Sequence, residues 1–229
     1  MKKKIVILTG AGISAESGIR TFRDSGGMWE EYDIMEVASY EGWLKNRDKV
    51  LEFYNQRRKQ LLDCKPNPAH KAIVKLEEKY DVQIITQNVD DLHERAGSTK
   101  IMHLHGELKK ARSTVDSSLI YDLDGWELNP GDKCEKGSQL RPHIVWFGEA
   151  VPLIEDAARF TDKADIFIII GTSLNVYPAA GLVNYSRYEI PKFIVDPNEC
   201  NVGWIHNLTL IKETASKGVP KLVEQLLKS

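Results

Sequence analysis

Three groups of residues in this 229-residue sequence have types and spacings that could do chemistry. The first is a glycine turn. Lys2 to Thr9 reads as a buried strand, and Gly10-Ala11-Gly12-Ile13-Ser14-Ala15 comes straight off its end. Gly10, Gly12 and Ala15 match the G-x-G-x-x-G/A dinucleotide fingerprint: the first glycine turns the chain, the second lets backbone approach a pyrophosphate, and a small third residue permits close helix packing. The helix that follows would offer free N–H groups and a positive dipole end to phosphates. The second group is histidine. His103 and His105 lie two apart in the strand-like run Lys100 to Gly106, so both fall on one face. An imidazole that titrates near neutrality suits proton transfer. Sequence alone does not choose between the two, and a lone histidine is more often structural than catalytic. The third group is Tyr54 with Arg57, at i and i+3 of a helical segment, where a phenol and a guanidinium could converge on one group. From spacing alone, a core tyrosine beside a solvated arginine is the better reading.

The elements that must position these groups alternate between strand and helix. After Lys2–Thr9, strands are expected at Val82–Thr86, Ile166–Ile170, Lys192–Val195 and Leu208–Ile211, with helices at Asp48–Asp63, Ala69–Tyr80, Leu153–Thr161 and Pro178–Tyr188. Asn67 can cap a helix whose first position is Pro68, and an amphipathic helix with Val219, Leu222, Val223, Leu226 and Leu227 finishes the chain. This pattern predicts an α/β fold, a Rossmann-like, mainly parallel sheet with helices on both faces. Residues 109–142 carry scattered Gly, Asp, Ser, Asn and Pro without a sustained period, and read as a small inserted module. Five strands each end in small or polar residues, and open α/β sheets bind ligands outside the carboxyl ends of their strands. Gly10, Asn88, Asp90, Gly171, Ser173, Asp196 and Ala215 would then share one crevice. A hydride-transfer enzyme is disfavoured, because such a unit needs a second strand ending in an acidic residue about 20 positions after the turn. Ser25 to Asp33, in that place, is loop-like.

Composition narrows the partners. With 31 basic and 33 acidic residues, nothing in the charge favours nucleic acid or a membrane surface. No apolar run is long enough to span a bilayer, and the apolar stretch after Lys2-Lys3-Lys4 is too short for a signal peptide, so a cytoplasmic location is the default. Cys64, Cys134 and Cys200 are far apart and odd in number, and form neither a disulfide framework nor a C-x-x-C metal site. His70, His93, His143 and His206 have no setting that suggests a role.

Taken together and in order, Gly10-Ala11-Gly12-Ile13-Ser14-Ala15-Glu16-Ser17-Gly18-Ile19-Arg20-Thr21-Phe22-Arg23, Thr86-Gln87-Asn88-Val89-Asp90, Leu104-His105-Gly106, Val145-Trp146-Phe147-Gly148-Glu149 and Gly171-Thr172-Ser173 resemble the motif series of the sirtuins, the NAD-dependent protein lysine deacylases. The resemblance runs from residue 9 to about residue 215. It implies that NAD is held by Gly10, Ala11, Gly12, Ile13, Ala15, Glu16, Ile19, Thr21, Phe22, Arg23 and Trp29, with a mobile stretch near Asp24 to Gly27. Gln87, Asn88, Val89 and Asp90 would line the ribose and nicotinamide pocket, with Asp90 reading the carboxamide. Gly171, Thr172, Ser173, Asp196, Pro197, Asn198, Glu199 and Ala215 would take the adenosine side. Val145, Trp146, Phe147, Gly148 and Glu149 would form the edge that pairs with an acylated-lysine peptide by strand addition. His105, rather than His103, matches the family's catalytic histidine, acting with Asn88 and Asp90. In that family's reaction the acyl oxygen attacks the nicotinamide ribose, nicotinamide leaves, and the histidine takes a proton from a ribose hydroxyl. The products are free lysine and acyl-ADP-ribose.

Two features qualify the resemblance. Tyr54-x-x-Arg57, with Ala15 where many relatives carry proline, is similar to the subgroup that removes succinyl and malonyl as well as acetyl groups; phenol and guanidinium would clamp the distal carboxylate by charge-assisted hydrogen bonds. The family usually carries four zinc cysteines after the catalytic histidine, whereas residues 109–142 contain only Cys134. One thiolate cannot close a tetrahedral zinc site, so no metal is expected, and Leu119, Ile120, Tyr121, Leu123 and Trp126 would hold the module by apolar contacts. Residues 1–30, 64–108 and 143–229 would make the NAD-binding domain, and 31–63 with 109–142 the small one. The same pocket could serve ADP-ribosyl transfer or NAD hydrolysis with a different nucleophile. A non-catalytic NAD sensor would keep the pocket alone, but has no need of His105, Asn88 and Asp90 together.

Overall fold

The computed structural model describes residues 2–19, 32–198 and 202–229. In chain order its strands are β1 (Lys4–Thr9), β2 (Asp81–Thr86), β3 (Ile101–His103), β4 (Gly106–Ser113), β5 (Ile120–Asp122), β6 (Leu140–Ile144), β7 (Ile166–Ile170), β8 (Lys192–Val195) and β9 (Leu208–Ile211). Six of them form one sheet in the order β3-β2-β1-β7-β8-β9, every neighbouring pair parallel. The order reverses at β1, which lies between β2 and β7, so the switch point that opens a crevice falls where the glycine turn leaves β1.

The apolar character of the central strands follows from having both faces covered. Along β1, Ile5 and Ile7 belong to one core cluster, while Val6 and Leu8 belong to another on the opposite face. The helices are α1 (Gly12–Ala15), α2 (Ile34–Val37), α3 (Tyr40–Lys45), α4 (Arg47–Asp63), α5 (Pro68–Leu76), α6 (Leu92–Ala96), α7 (Ile154–Asp162) and α8 (Ala215–Lys228). Helix α5 starts as expected, with Pro68 at its first position and the Asn67 side chain accepting from Ala69 N at 2.9 Å. It stops at Leu76 rather than Tyr80 because the amides of Glu77, Glu78 and Lys79 bond three residues back, tightening the last turn. The segment expected to be helical from Pro178 to Tyr188 is a 3-10 helix over Ala179–Tyr185. No helix among the described residues is long and apolar enough to cross a membrane.

Two expectations need correction. The strand-like run Lys100–Gly106 is not one strand: β3 ends at His103, Leu104 and His105 form a turn, and Gly106 opens β4 at φ +84°. A Cβ on Gly106 would lie 2.0 Å from the His143 carbonyl oxygen, which is why glycine stands there. His103 and His105 therefore do not share a strand face. The module at 109–142 contains order that the sequence pattern hid: β4, β5 and β6 make an antiparallel sheet in the order β5-β4-β6.

That sheet and helices α2–α4 enclose a third core cluster containing Trp43, Phe53, Tyr54, Leu108, Leu128 and Trp146. Of the five apolar residues expected to hold the module, only Leu123 packs against this cluster, and Ile120 is 44% exposed. Polar anchors from α4 do much of the holding. Asn55 donates to the Leu128 carbonyl at 3.2 Å and accepts from Leu128 N at 3.0 Å, while Arg58 donates to the carbonyls of Trp126 (2.7 Å) and Leu108 (3.3 Å). Arg58 is almost fully buried, and that burial pulls its pKa down to about 10. These two side chains satisfy buried backbone groups of an irregular segment that could not otherwise leave water.

Candidate active site

The glycine turn is used largely for packing. Gly10 N donates to Ile170 O (3.0 Å), Gly12 N to Gly171 O (2.9 Å), Ile13 N to Gly10 O (3.1 Å) and Ser14 N to Ala11 O (3.0 Å). The amides of Gly12, Ile13 and Ser14 in the first helical turn are thus already engaged. A Cβ on Gly12 would lie 2.6 Å from the Gly171 Cα, and one on Gly171 would lie 2.3 Å from Ile13 N. The close crossing of the β1 and β7 loops is therefore by itself enough to require glycine at position 12. Gly171 is doubly constrained, because its φ of +61° also favours glycine. Gly171→Ala should cost about 2 kcal/mol or more, read as a lower urea midpoint; an unchanged midpoint would contradict this packing.

Behind the turn, the polar residues at the ends of β1 and β2 form one buried chain. Thr9 Oγ1 donates to Thr86 Oγ1 at 2.8 Å and lies 3.1 Å from His93 Nε2, while Thr86 Oγ1 accepts from Asn88 N at 3.0 Å. Asn88 Nδ2 donates to Ser14 Oγ (3.2 Å), which donates to Asp90 Oδ2 (3.0 Å), and Leu92 N donates to Asp90 Oδ1 (3.1 Å). Asp90 is only 5% exposed, and burial pushes its carboxyl above the ordinary range despite these two bonds. His70 and His93 stack edge to face beneath, both held neutral by burial, with His70 drawn down to about 4. Ser14 links Asn88 to Asp90, yet the sequence reading gave it no role; the only available signal was a hydroxyl inside the first turn of a glycine motif.

Geometry separates the two histidines. His103 lies between two acceptors, with Nδ1 3.0 Å from Asn88 O and Nε2 2.7 Å from Glu94 Oε1. Both nitrogens are asked to donate, which favours the imidazolium. Burial opposes that charge, but the Glu94 carboxylate outweighs it and raises the pKa above the usual value. A histidine so held is a poor base. His105 has Nδ1 3.0 Å from Gln87 O, which places its proton on Nδ1 and leaves Nε2 as the basic nitrogen. Burial lowers its pKa, so it is neutral and able to accept a proton at pH 7.

The other expected cofactor positions fall into three sets. Gln87 Nε2 donates to Thr172 Oγ1 at 3.2 Å, and Gly171 N donates to Val195 O at 3.0 Å, drawing the ends of β2, β7 and β8 together. Ser173, Asp196, Pro197, Asn198 and Ala215 lie along the same edge, with Asp196 Oδ1 accepting from Asn198 N (2.9 Å). Other side chains turn away from the crevice. Ile13 is fully buried in the core, Ile19 and Val89 pack against the α4 cluster, and Glu16 accepts from Ser216 N at 2.8 Å at the start of α8. Burial would raise the Glu16 pKa, but its bonds from Ser216 and Thr214 hold it low. Thr21, Phe22, Arg23, Trp29 and Glu199, and the stretch Asp24 to Gly27, lie outside the described residues.

The expected peptide edge is also partly committed. Val145 N donates to His105 O (2.9 Å), Trp146 N to Glu149 Oε2 (2.8 Å) and Phe147 N to Ala38 O (2.9 Å), so these three amides are not left for a peptide strand. Phe147 is half-exposed and Gly148 follows at φ +87°, whereas Trp146 is buried. Glu149 faces inward to Arg141 and Arg112. Tyr54 is in the core, as expected, but Arg57 is not simply solvated. Its guanidinium carbon lies 5.9 Å from the Tyr54 ring centroid and 5.6 Å from that of Phe53. Burial lowers its pKa while Tyr54 and Asp90 pull the other way. The phenol and guanidinium are therefore neighbours on α4, with the guanidinium near enough to feel the Asp90 charge.

Comparison with known proteins agrees with this arrangement. Residues 10–178 match the Sir2 family. A Helicobacter pylori protein named NAD-dependent protein deacylase is 55% identical over 227 residues, covering 98% of each chain. Two solved structures superimpose with TM-scores of 0.89: a Sir2 homologue in complex with NAD (38% identical, covering 99% of this chain and 90% of that one) and a mutant Sir2 homologue with 2′-O-acetyl ADP ribose (37% identical, covering 99% and 93%). With the family matched across most of its length and relatives aligned end to end, this chain belongs to the Sir2 family.

Proposed function

We propose that the protein removes acyl groups from lysine side chains of proteins at the expense of NAD, and that it prefers acidic acyl groups over acetyl. The first half rests on the family and on relatives that carry NAD and the acetylated product. The observation that carries the reading is His105, a neutral imidazole whose Nδ1 is fixed by Gln87 O beside the Asn88–Ser14–Asp90 chain.

The residues present fit NAD by their chemistry. Asp90 supplies a buried carboxylate acceptor and Asn88 an amide for a carboxamide, and Thr172 and Ser173 supply hydroxyls just beyond the end of β7. When bound, NAD supplies the sugar carbon to which the acyl oxygen is transferred as nicotinamide leaves. Asn88 and Asp90, tied through Ser14, would orient that end before reaction, at no further ordering cost. His105 Nε2 would take the proton of a ribose hydroxyl, with Gln87 O holding the tautomer throughout. Tyr54 and Arg57 would bind the distal carboxylate of a succinyl or malonyl group. Acetyl-lysine lacks that partner and would be bound less tightly.

Incubating the protein with NAD and acetyl, succinyl or unmodified peptides, with products identified by mass spectrometry, tests the reading. Acyl-ADP-ribose formed only with acylated peptides, and faster from succinyl-lysine, is expected. Nicotinamide released equally without peptide would indicate NAD hydrolysis instead, and an ADP-ribosylated peptide would indicate ADP-ribosyl transfer. The module at 109–142 should need no metal, since Asn55 and Arg58 anchor it from α4. A chelator should therefore leave the melting temperature within about 1 °C, whereas a structural zinc contributes enough to folding that its removal would lower it by far more.

A further inference from the structure

Trp146 lies outside the polar crevice, yet its indole makes a bond that bears on acyl selection. Its Nε1 donates to the Tyr54 hydroxyl at 3.0 Å, and both side chains are buried. An indole N–H can only donate. The Tyr54 oxygen is therefore the acceptor, and its own proton must lie elsewhere. A phenolic O–H prefers the ring plane and has two positions there; an N–H donor approaching one side leaves the other for the proton. The neighbouring Arg57 guanidinium, with five donors and no acceptor, cannot receive it. The phenol is thus left presenting its proton beside a guanidinium, a setting that suits an anion.

The indole is held in place before any substrate arrives. The Arg141 guanidinium carbon stands 3.3 Å from the Trp146 ring centroid, and the Trp43 ring lies 5.7 Å away. Arg141 is itself fixed by both Glu149 oxygens (2.7 and 3.0 Å) and by the Ile144 carbonyl (3.0 Å), and Arg112 reaches the same carboxylate at 3.2 Å. Glu149 also accepts from Trp146 N at 2.8 Å, closing the loop on itself. One carboxylate thus ties β4, β6 and the 145–149 segment around a single indole.

We propose that Trp146 is a specificity-determining residue: its N–H, held by the Arg141–Glu149 clasp, occupies the Tyr54 oxygen and leaves the phenolic proton to the distal carboxylate of an acidic acyl group. This rests on the acidic-acyl reading of Tyr54 and Arg57. Trp146 acts through Tyr54 and is a positioning residue.

The test measures kcat/KM for succinyl and acetyl peptides and takes their ratio, which cancels differences in the fraction of folded enzyme. Trp146→Phe removes the donor. Replacing Trp146 by the benzothienyl analogue of tryptophan keeps the bicyclic shape and removes only the N–H, so it serves if the phenylalanine variant folds poorly. Either should lower the succinyl-to-acetyl ratio by about 5-fold, the usual worth of one hydrogen bond between neutral groups. In a Tyr54→Phe background the same change should lower it no further, which a merely structural role would not produce. A ratio unchanged in both Trp146 variants, while Arg57→Met and Tyr54→Phe lower it, overturns the proposal and leaves the acidic-acyl reading standing. A further fall in the Tyr54→Phe background also overturns it. A wild-type enzyme without succinyl preference sinks the reading beneath it, and the proposal too.

Discussion

His105→Ala should lower deacylation by about 10²- to 10⁴-fold, the range for loss of a positioned general base, while NAD still binds. Binding should survive because His105 holds the Gln87 carbonyl by one bond only, whereas Gln87 N also donates to Thr9 O and its side chain to Thr172. The wild-type pH profile should carry the same signature. Burial lowers the His105 pKa, so the neutral, basic form persists below the ordinary value of about 6.5. Activity should be full at neutral pH and fall on the acid side only below that value. His103 cannot replace it, since both its nitrogens are spoken for by Asn88 O and Glu94. His103→Gln with a loss as large as that of His105→Ala would contradict the assignment.

Arg57→Met should lower the ratio of desuccinylation to deacetylation by about 10- to 100-fold, the effect of removing a charge-assisted, partly desolvated bond. The fall should come from the succinyl substrate, because methionine keeps the apolar stem against Phe53 and Tyr54 while the charge disappears. Parallel kcat/KM measurements on the two peptides check it. An unchanged ratio would mean that Arg57 serves the fold rather than the acyl group.

The sheet was legible in the sequence because its strands are buried on both faces and read as continuous apolar runs, as β7 (Ile166–Ile170) does. The order of motifs was legible too, since the residues that carry them follow strand ends one after another. What the sequence hid is contact between distant segments. The requirement for Gly12 comes from Gly171, 159 positions away, and no local pattern encodes a backbone crossing. The small sheet β5-β4-β6 was hidden because β5 is only three residues long, β4 is rich in charged residues, and the interior is filled partly by Arg58 and Asn55 from α4, so hydrophobic alternation is weak. Tyr54 reads as a core residue and is one, but its hydroxyl meets Trp146, 92 positions on. Glu149 was placed at the peptide edge by its motif, whereas Arg112 and Arg141 draw it inward, a pairing across two strands that spacing cannot reveal.

The most direct test of the central claim is the stoichiometry of one reaction, measured with the wild-type enzyme, NAD and a succinyl-lysine peptide. Nicotinamide, free lysine peptide and succinyl-ADP-ribose should appear in a 1:1:1 ratio, with no nicotinamide released when the lysine is unmodified. Nicotinamide formed without the peptide, or lysine freed without NAD, would contradict it.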